Sequence, residues 1–266
     1  MRNMPSVVQE LVRAARAAPS ADNCQPWTFQ WTGEVLRVLH RDSGGFGSDE
    51  HATLMSLGAV IENMVQAGEA LGVSVDWERS DEAGVHMVVH MPCADAVNML
   101  SEGHPLFLRH TNRLPTSREP LGEDVVRRLE AVTEARASAE VLTSPAEIKL
   151  AGDAVETASA IRFRVREAHE ILARSLRFTR QEVARGDGLD VATLGLPPGG
   201  ALVLRCVRPW SRMRLLNSIG LYRVFARPEG QRVRQSSALV QILGPDNTWD
   251  DLIAAGRVLH RVWIRA

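Results

Sequence analysis

The sequence predicts an α+β protein, a mainly antiparallel central sheet flanked by helices. Apolar residues recur at helical spacing over 5–17, 52–71, 123–135 and 249–263. By contrast, 28–31, 35–39, 73–78, 85–91, 139–143 and 237–243 alternate or run β-branched over strand lengths. Connections such as Thr32-Gly33-Glu34 are short and hold glycine, as hairpins between antiparallel strands require. A content of 45% hydrophobic and 24% charged residues is ordinary for a globular chain, which removes disorder, collagen and coiled coil.

Each element has a local reason. Val8, Leu11, Val12 and Ala15 form one stripe, so the first helix ends near Pro19 and a loop at 18–26 leads into the hairpin. A Gly/Ser-rich loop spans 43–48. In 52–71 the stripe is Leu54, Leu57, Ile61, Met64, Gly68 and Leu71, and Gly72 is the stop. Its small residues Gly58, Ala59, Ala67 and Gly68 predict close packing. After the strands 73–78 and 85–91 come a short helix near 95–101, a loop at 109–122, the helix 123–135 and the strand 139–143. Residues 146–185 are polar, Arg-rich and helical in period, broken near Gly186 and Gly188. Residues 186–200, with Pro197-Pro198 between glycines, read as a stiff flap with flexible ends, suited to a lid. The last helix sets Leu252, Gly256, Leu259 and Trp263 on one face and reaches Ala266 without a glycine or cap, so an incomplete C-terminus is expected. Gly58-Ala-Val-Ile and Gly256-Arg-Val-Leu form an internal echo of the kind two amphipathic helices also share by chance.

Composition excludes several chemistries. No apolar run approaches the roughly 18 residues of a membrane span, and the N-terminus lacks a signal-peptide core, so a cytoplasmic protein is expected. Cys24, Cys93 and Cys206 are scattered and odd in number, which fits no disulfide framework. Among 31 Lys and Arg side chains the only lysine is Lys149, in Ala-Glu-Ile-Lys-Leu, so neither a Walker loop nor a Schiff-base site is supported. Residues 1–150 carry 13 basic and 21 acidic groups (net −8) and 151–266 carry 18 and 11 (net +7), so the halves attract. With 6 Trp, 6 Phe and 1 Tyr spread over the whole chain, the basic half lacks the stacking aromatics of a nucleic-acid surface. His86, His90 and Cys93 suggest metal spacing, but four strand residues span about 13 Å, too far for one ion, and no metal is expected. Gly44-Gly-Phe-Gly47 lacks the third glycine of a dinucleotide fingerprint, and no Gly-x-Ser-x-Gly elbow occurs.

Two loops remain. Residues 18–27, Ala-Pro-Ser-Ala-Asp-Asn-Cys-Gln-Pro-Trp, put hydroxyl, amide and aromatic groups into one turn. Ser20 and Asn23 can serve a heteroaromatic edge, although an Asx-type turn that merely starts a strand reads equally well. In Arg109-His110-Thr111-Asn112-Arg113 the alternation of Arg109, Thr111 and Arg113 can direct two guanidiniums and a hydroxyl at one phosphate, against the alternative of a solvated basic turn.

Together these loops resemble the FMN-dependent nitroreductase family, and specifically its long, internally duplicated branch, in which one chain imitates a dimer. The resemblance puts Arg109, His110, Thr111 and Arg113 at the FMN phosphate, with Thr in place of Ser, and Pro19, Ser20, Ala21, Asn23 and Gln25 beside the flavin ring. Leu57 to Gly72 is similar to the family's core helix. The order is reversed, with the ring-side loop about 90 residues ahead of the phosphate segment, so two halves, 1–105 and 106–266, are expected to build one composite site as a monomeric pseudo-dimer or a homodimer. The family's further strand and basic contact beyond the last helix are not in this sequence. The implied function is hydride transfer from NAD(P)H through FMN to a small nitro, quinone or enone acceptor, with no side chain needed as a catalytic acid or base. The alternative is a non-catalytic flavin-sequestering protein; a basic-surface interaction module is a third reading. Neither a nucleic-acid nor a membrane partner is expected.

Overall fold

A computed structural model describes residues 4–42, 46–92, 98–114 and 117–266. The first half is built from α1 (Ser6–Arg16), the hairpin β1 (Trp27–Trp31) and β2 (Leu36–His40), α2 (His51–Leu71), and a second hairpin, β3 (Asp76–Arg79) and β4 (Val85–His90). Its four strands form one antiparallel sheet in the order β1-β2-β4-β3. Leu36 pairs with Val89 and Val38 with Met87, so these buried side chains share the face that α1 and α2 cover with Val8, Leu11, Leu57, Ile61 and Met64. The predicted stop of α2 is realised: Gly72 sits at φ 69° and Val73 N donates to Gly68 O at 2.8 Å.

The chain continues with α3 (Pro105–Leu108), α4 (Glu123–Glu130), β5 (Thr133–Glu134) and β6 (Ala137–Leu142). A helical unit follows: α5 (Pro145–Arg164), α6 (Arg166–Ser175), β7 (Leu176–Arg177), α7 (Arg180–Val183), β8 (Leu189–Asp190), α8 (Gly200–Val207), α9 (Trp210–Asn217) and α10 (Tyr222–Arg234). The chain then returns through β9 (Leu239–Leu243) to α11 (Trp249–Arg265). Strands β5-β6-β9 make a separate antiparallel sheet, and β7 and β8 a parallel pair.

The single central sheet expected from the sequence is therefore two antiparallel sheets. They are separated by α2 and α11, which are the hinge of the architecture. Leu252 and Ile253 of α11 enter the core of the first half, while Ala254, Val258 and Val262 pack on the second sheet. Gly58 and Gly256, each the eighth residue of its helix, meet at the crossing. A methyl group on Gly256 would collide with the Met55 carbonyl, and one on Gly58 with that of Ile253. The internal echo thus has a physical counterpart: a close helix crossing that only glycine permits on both sides.

Other elements differ from expectation. The helix expected over 123–135 ends at Glu130, because Thr133 and Glu134 pair with Ser138 and Ala137 in a hairpin. The segment 146–185 breaks at Val165, which takes extended angles and divides α5 from α6. In the helix expected near 95–101, residues 95–97 lie outside the described residues and 98–101 are not helical; the helix is α3. Residues 43–45 of the Gly/Ser-rich loop, with Gly44, also lie outside the described residues. No helix among the described residues is long and apolar enough to cross a membrane.

Candidate functional site

A cavity of about 1390 Å³ lies between the α2/α11 crossing and the helical unit 145–234. Its floor takes Met55, Ser56 and Ala59 from α2, flanking Gly58, and Leu259, His260 and Trp263 from α11, beyond Gly256. The close crossing holds these two triplets side by side. The roof comes from α5, α6, α8 and α10, and the segment 188–200 closes one side.

Both sequence-predicted loops border this one cavity. Pro19, Ser20, Ala21 and Asn23 form one rim, and Arg109, His110, Thr111 and Arg113 the other. Arg109 Nη2 donates to Ala17 O at 3.1 Å, which ties the second rim to the end of α1 just before the first.

The first rim is strained and heavily braced. Asp22, Asn23 and Gln25 have φ of 47°, 53° and 49°. Asp and Asn tolerate this region, whereas Gln25 pays about 1–2 kcal/mol for it. Gln25 N donates to Ser20 Oγ at 3.0 Å, and Gln25 Nε2 to Asn23 Oδ1 at 3.1 Å and Ala18 O at 3.3 Å. Arg41 donates to the carbonyls of Cys24 (3.0 Å) and Gln25 (3.1 Å). Gln25 thus braces the loop from behind and does not border the cavity, because its amide is consumed within the turn. Asn23 is also engaged: its Nδ2 donates to Gly188 O at 2.9 Å, and Gly188 N returns a bond to Asn23 O at 2.8 Å. The Ser20 hydroxyl accepts from Gln25 and keeps its own hydrogen for a ligand.

The second rim is cationic. The Arg109 guanidinium stacks over the Trp263 ring, 4.6 Å from its centre, which fixes its plane. Its Nε is buried without a hydrogen-bond partner, and burial lowers its pKa. No carboxylate lies within ion-pair distance of Arg109 or Arg113 among the described residues. A pair of unneutralised guanidiniums at one rim is an anion site in waiting.

Beneath them, His260 is fully buried. Its Nε2 donates to Asn63 Oδ1 at 2.5 Å, and Asn63 Nδ2 donates to Ala14 O at 2.7 Å, which sets the amide's orientation. Burial, and secondly the charge of Arg109, push the His260 pKa down to about 3, so it is neutral at pH 7. A salt-bridge cluster behind the floor joins both helices to the second sheet. Glu62 bonds Arg261 at 2.7 Å and Arg257 at 3.2 Å, and both arginines reach Glu134 at 3.0 and 2.9 Å. Burial alone would raise the Glu62 pKa, but bonds from Arg261 and Gln66 and the charge of Arg257 outweigh it and lower the pKa.

Sequence reasoning missed the floor residues His260 and Trp263 and the whole roof. The Gly58/Gly256 echo was the signal for the floor; the roof left none. The histidines weighed for a metal do not converge. His86 Nε2 lies 3.2 Å from His40 Nδ1, His90 lies 3.2 Å from Glu78, and Cys93 is outside the described residues. Burial and then His40 push the His86 pKa down to about 4. No cluster of three or more His, Cys, Asp or Glu suited to a metal occurs among the described residues.

No family model matches the sequence. Over 76 residues the chain is 34% identical to a protein named Probable NAD(P)H nitroreductase PigM, from Serratia sp. (strain ATCC 39006). The match spans 27% of this chain and 21% of that protein. Over about a quarter of its length, then, this mixed helix-and-sheet chain is similar to a nitroreductase, and that partial likeness favours the nitroreductase family.

Proposed function

We propose that the chain binds FMN in this cavity and acts as a nitroreductase-like oxidoreductase, using NAD(P)H to reduce a small electrophilic nitro, quinone or enone acceptor. The observation behind this reading is the convergence of the 19–23 and 109–113 rims on one cavity. At about 1390 Å³ the cavity exceeds the roughly 300–1,000 Å³ of a usual ligand pocket, leaving space for a cofactor and a second molecule. The residues suit FMN: Arg109 and Arg113 would take the phosphate, and Ser20 would donate to the ring edge. When bound, FMN supplies the hydride chemistry, so no side-chain acid or base is required at the reacting atoms. The protein's own part is to orient and to exclude water. Trp263 fixes Arg109, Gln25 and Arg41 hold the strained rim, and neutral His260 keeps further positive charge off the floor. The halves 1–105 and 106–266 build the site jointly, with the two rims drawn from either side of the boundary.

The test is calorimetric titration with FMN and riboflavin. Charge-assisted bonds to phosphate contribute about 1.5–3 kcal/mol each, so FMN should bind at least about tenfold more tightly. Arg113→Ala should remove most of that preference and leave riboflavin nearly unchanged. Equal affinities in the wild type would sink the phosphate assignment.

One observation favours flavin sequestration as a second reading. Segment 186–200 is pinned at the first rim by the two Asn23–Gly188 bonds, and Gly195 lies beside the Arg113 backbone. Anaerobic addition of NADH or NADPH separates the two. Bleaching of the flavin band that a nitroaromatic reverses supports the enzyme, and a band that persists with both nucleotides supports sequestration.

A further inference from the structure

The roof of the cavity is largely apolar, lined by Phe163, Leu172, Leu204, Val224 and Phe225. Most of its polar side chains are already engaged within the protein. Asp190 Oδ1 accepts from Ala192 N at 2.9 Å, and the Thr193 hydroxyl donates to Asp190 O at 2.8 Å. Arg232 pairs with Glu229 at 3.0 Å and donates to Leu194 O at 3.4 Å. Ser159 and Arg162 differ. They lie one turn apart on α5, both border the cavity, and neither side chain makes a hydrogen bond, ion pair or ring contact among the described residues.

The other cations of α5 are engaged. Lys149 bonds Asp153, and Arg164 stacks 5.1 Å from the centre of the Tyr222 ring. Of the three cations of α5, Arg162 alone has no hydrogen-bond, ion-pair or ring partner among the described residues, and it stands beside an apolar chamber. A planar guanidinium next to a hydroxyl matches a carboxylate, which takes two parallel N–H bonds and one O–H bond.

We propose that Arg162 and Ser159 form a carboxylate-receiving subsite, and that the acceptor reduced in this cavity is an apolar, aromatic-sized molecule bearing one carboxylate. That this ligand is reduced rests on the oxidoreductase reading above; the subsite itself does not. It is carried by α5, whereas Arg109 and Arg113 lie on the segment that follows α3.

The experiment is titration of FMN-loaded and flavin-free protein with 4-nitrobenzoate and its uncharged counterpart 4-nitrobenzamide. Wild-type protein should bind the carboxylate about tenfold more tightly, the lower end for a charge-assisted pair that is open to solvent. Arg162→Gln should abolish the preference, and Arg162→Lys should keep part of it. In turnover the same variants should shift KM for 4-nitrobenzoate and leave kcat nearly constant. Equal wild-type affinities, or a preference that survives Arg162→Gln, would overturn the subsite. If Arg162→Gln instead loses discrimination between NADPH and NADH while the two nitro compounds bind alike, the oxyanion belongs to the nucleotide and the acceptor proposal fails. Carboxylate preference in a protein that never retains FMN would keep the subsite and sink the oxidoreductase reading. FMN binding without that preference would do the reverse.

Discussion

Two glycine crossings frame the cavity, and they are built differently. Under the floor, Gly58 and Gly256 bring α2 and α11 together, and the neighbouring polar groups are buried: Glu62, Asn63 and His260 are each within 2% of full burial. In the roof, Gly152 and Gly230 bring α5 and α10 together, with the Gly152 carbonyl 2.5 Å from where a Gly230 methyl would sit. There the bracing ions are open to water, Arg234 reaching Asp153 at 2.9 Å and Glu156 at 2.6 Å. The floor is held by groups that cannot be solvated if it shifts, and the roof by groups that can. A rigid floor suits a cofactor platform, and a more compliant roof suits a ligand wall.

The largest expected effect separates the crossings directly. In Gly256→Ala the new methyl meets only backbone, from Met55, which no rotamer change can move. A loss of about 4 kcal/mol is expected, above the usual 1–3 for overpacking. In Gly152→Ala the new methyl meets Arg234 Cγ and, at 2.9 Å, the Gly230 carbonyl, a looser backbone approach than at Gly256, so a smaller loss of about 2 kcal/mol is expected. Urea unfolding with unchanged m-values measures both. Equal losses would erase the distinction between floor and roof.

The ion networks sharpen it further. Glu62→Gln leaves Arg257 and Arg261 largely buried with only Glu134 to share, and should cost about 3 kcal/mol at any moderate salt. Arg234→Ala breaks half-exposed pairs and should change stability less, by an amount that shrinks further in high salt. A Glu62→Gln loss that salt erases would show that the floor network is solvated after all.

The same contrast explains what the sequence made legible. Regular periodicity exposed α1, α11 and the strand pairs of the first sheet, and in α2, buried on all sides over 56–64, the apolar spacing and the stop at Gly72 were enough. The two rims were readable as compact sets of turn and cationic residues. The second sheet was not, since β6 and β9 are nearly 100 residues apart and nothing local announces their pairing. Helices α8 to α10 are 8 to 13 residues long and share one core among several partners, so no single stripe stands out. His260 was hidden for a different reason. Its burial depends on α2 lying across it, and its hydrogen-bond partner Asn63 is 197 residues away.

That buried histidine gives an effect that depends on pH, and one with a definite sign. His260 titrates near 6.5 in the unfolded chain and at about 3 in the fold, where burial and then Arg109 disfavour its charged form. Below pH 6.5 the unfolded chain therefore binds a proton that the folded one refuses. The contribution is complete above pH 6.5 and declines as the pH falls towards 3. His86, lowered to about 4, adds in the same direction. Between pH 6.5 and 4.5, before the carboxylates titrate, His260 should account for about 2 kcal/mol of lost stability. His260→Gln can still offer an amide N–H to Asn63 and should flatten that part of the profile, leaving the share from His86. Comparing unfolding at pH 7 and pH 4.5 for both proteins checks it. If the variant loses as much as the wild type, His260 is not held neutral, and a floor that excludes water more strictly than the roof loses its clearest electrostatic support.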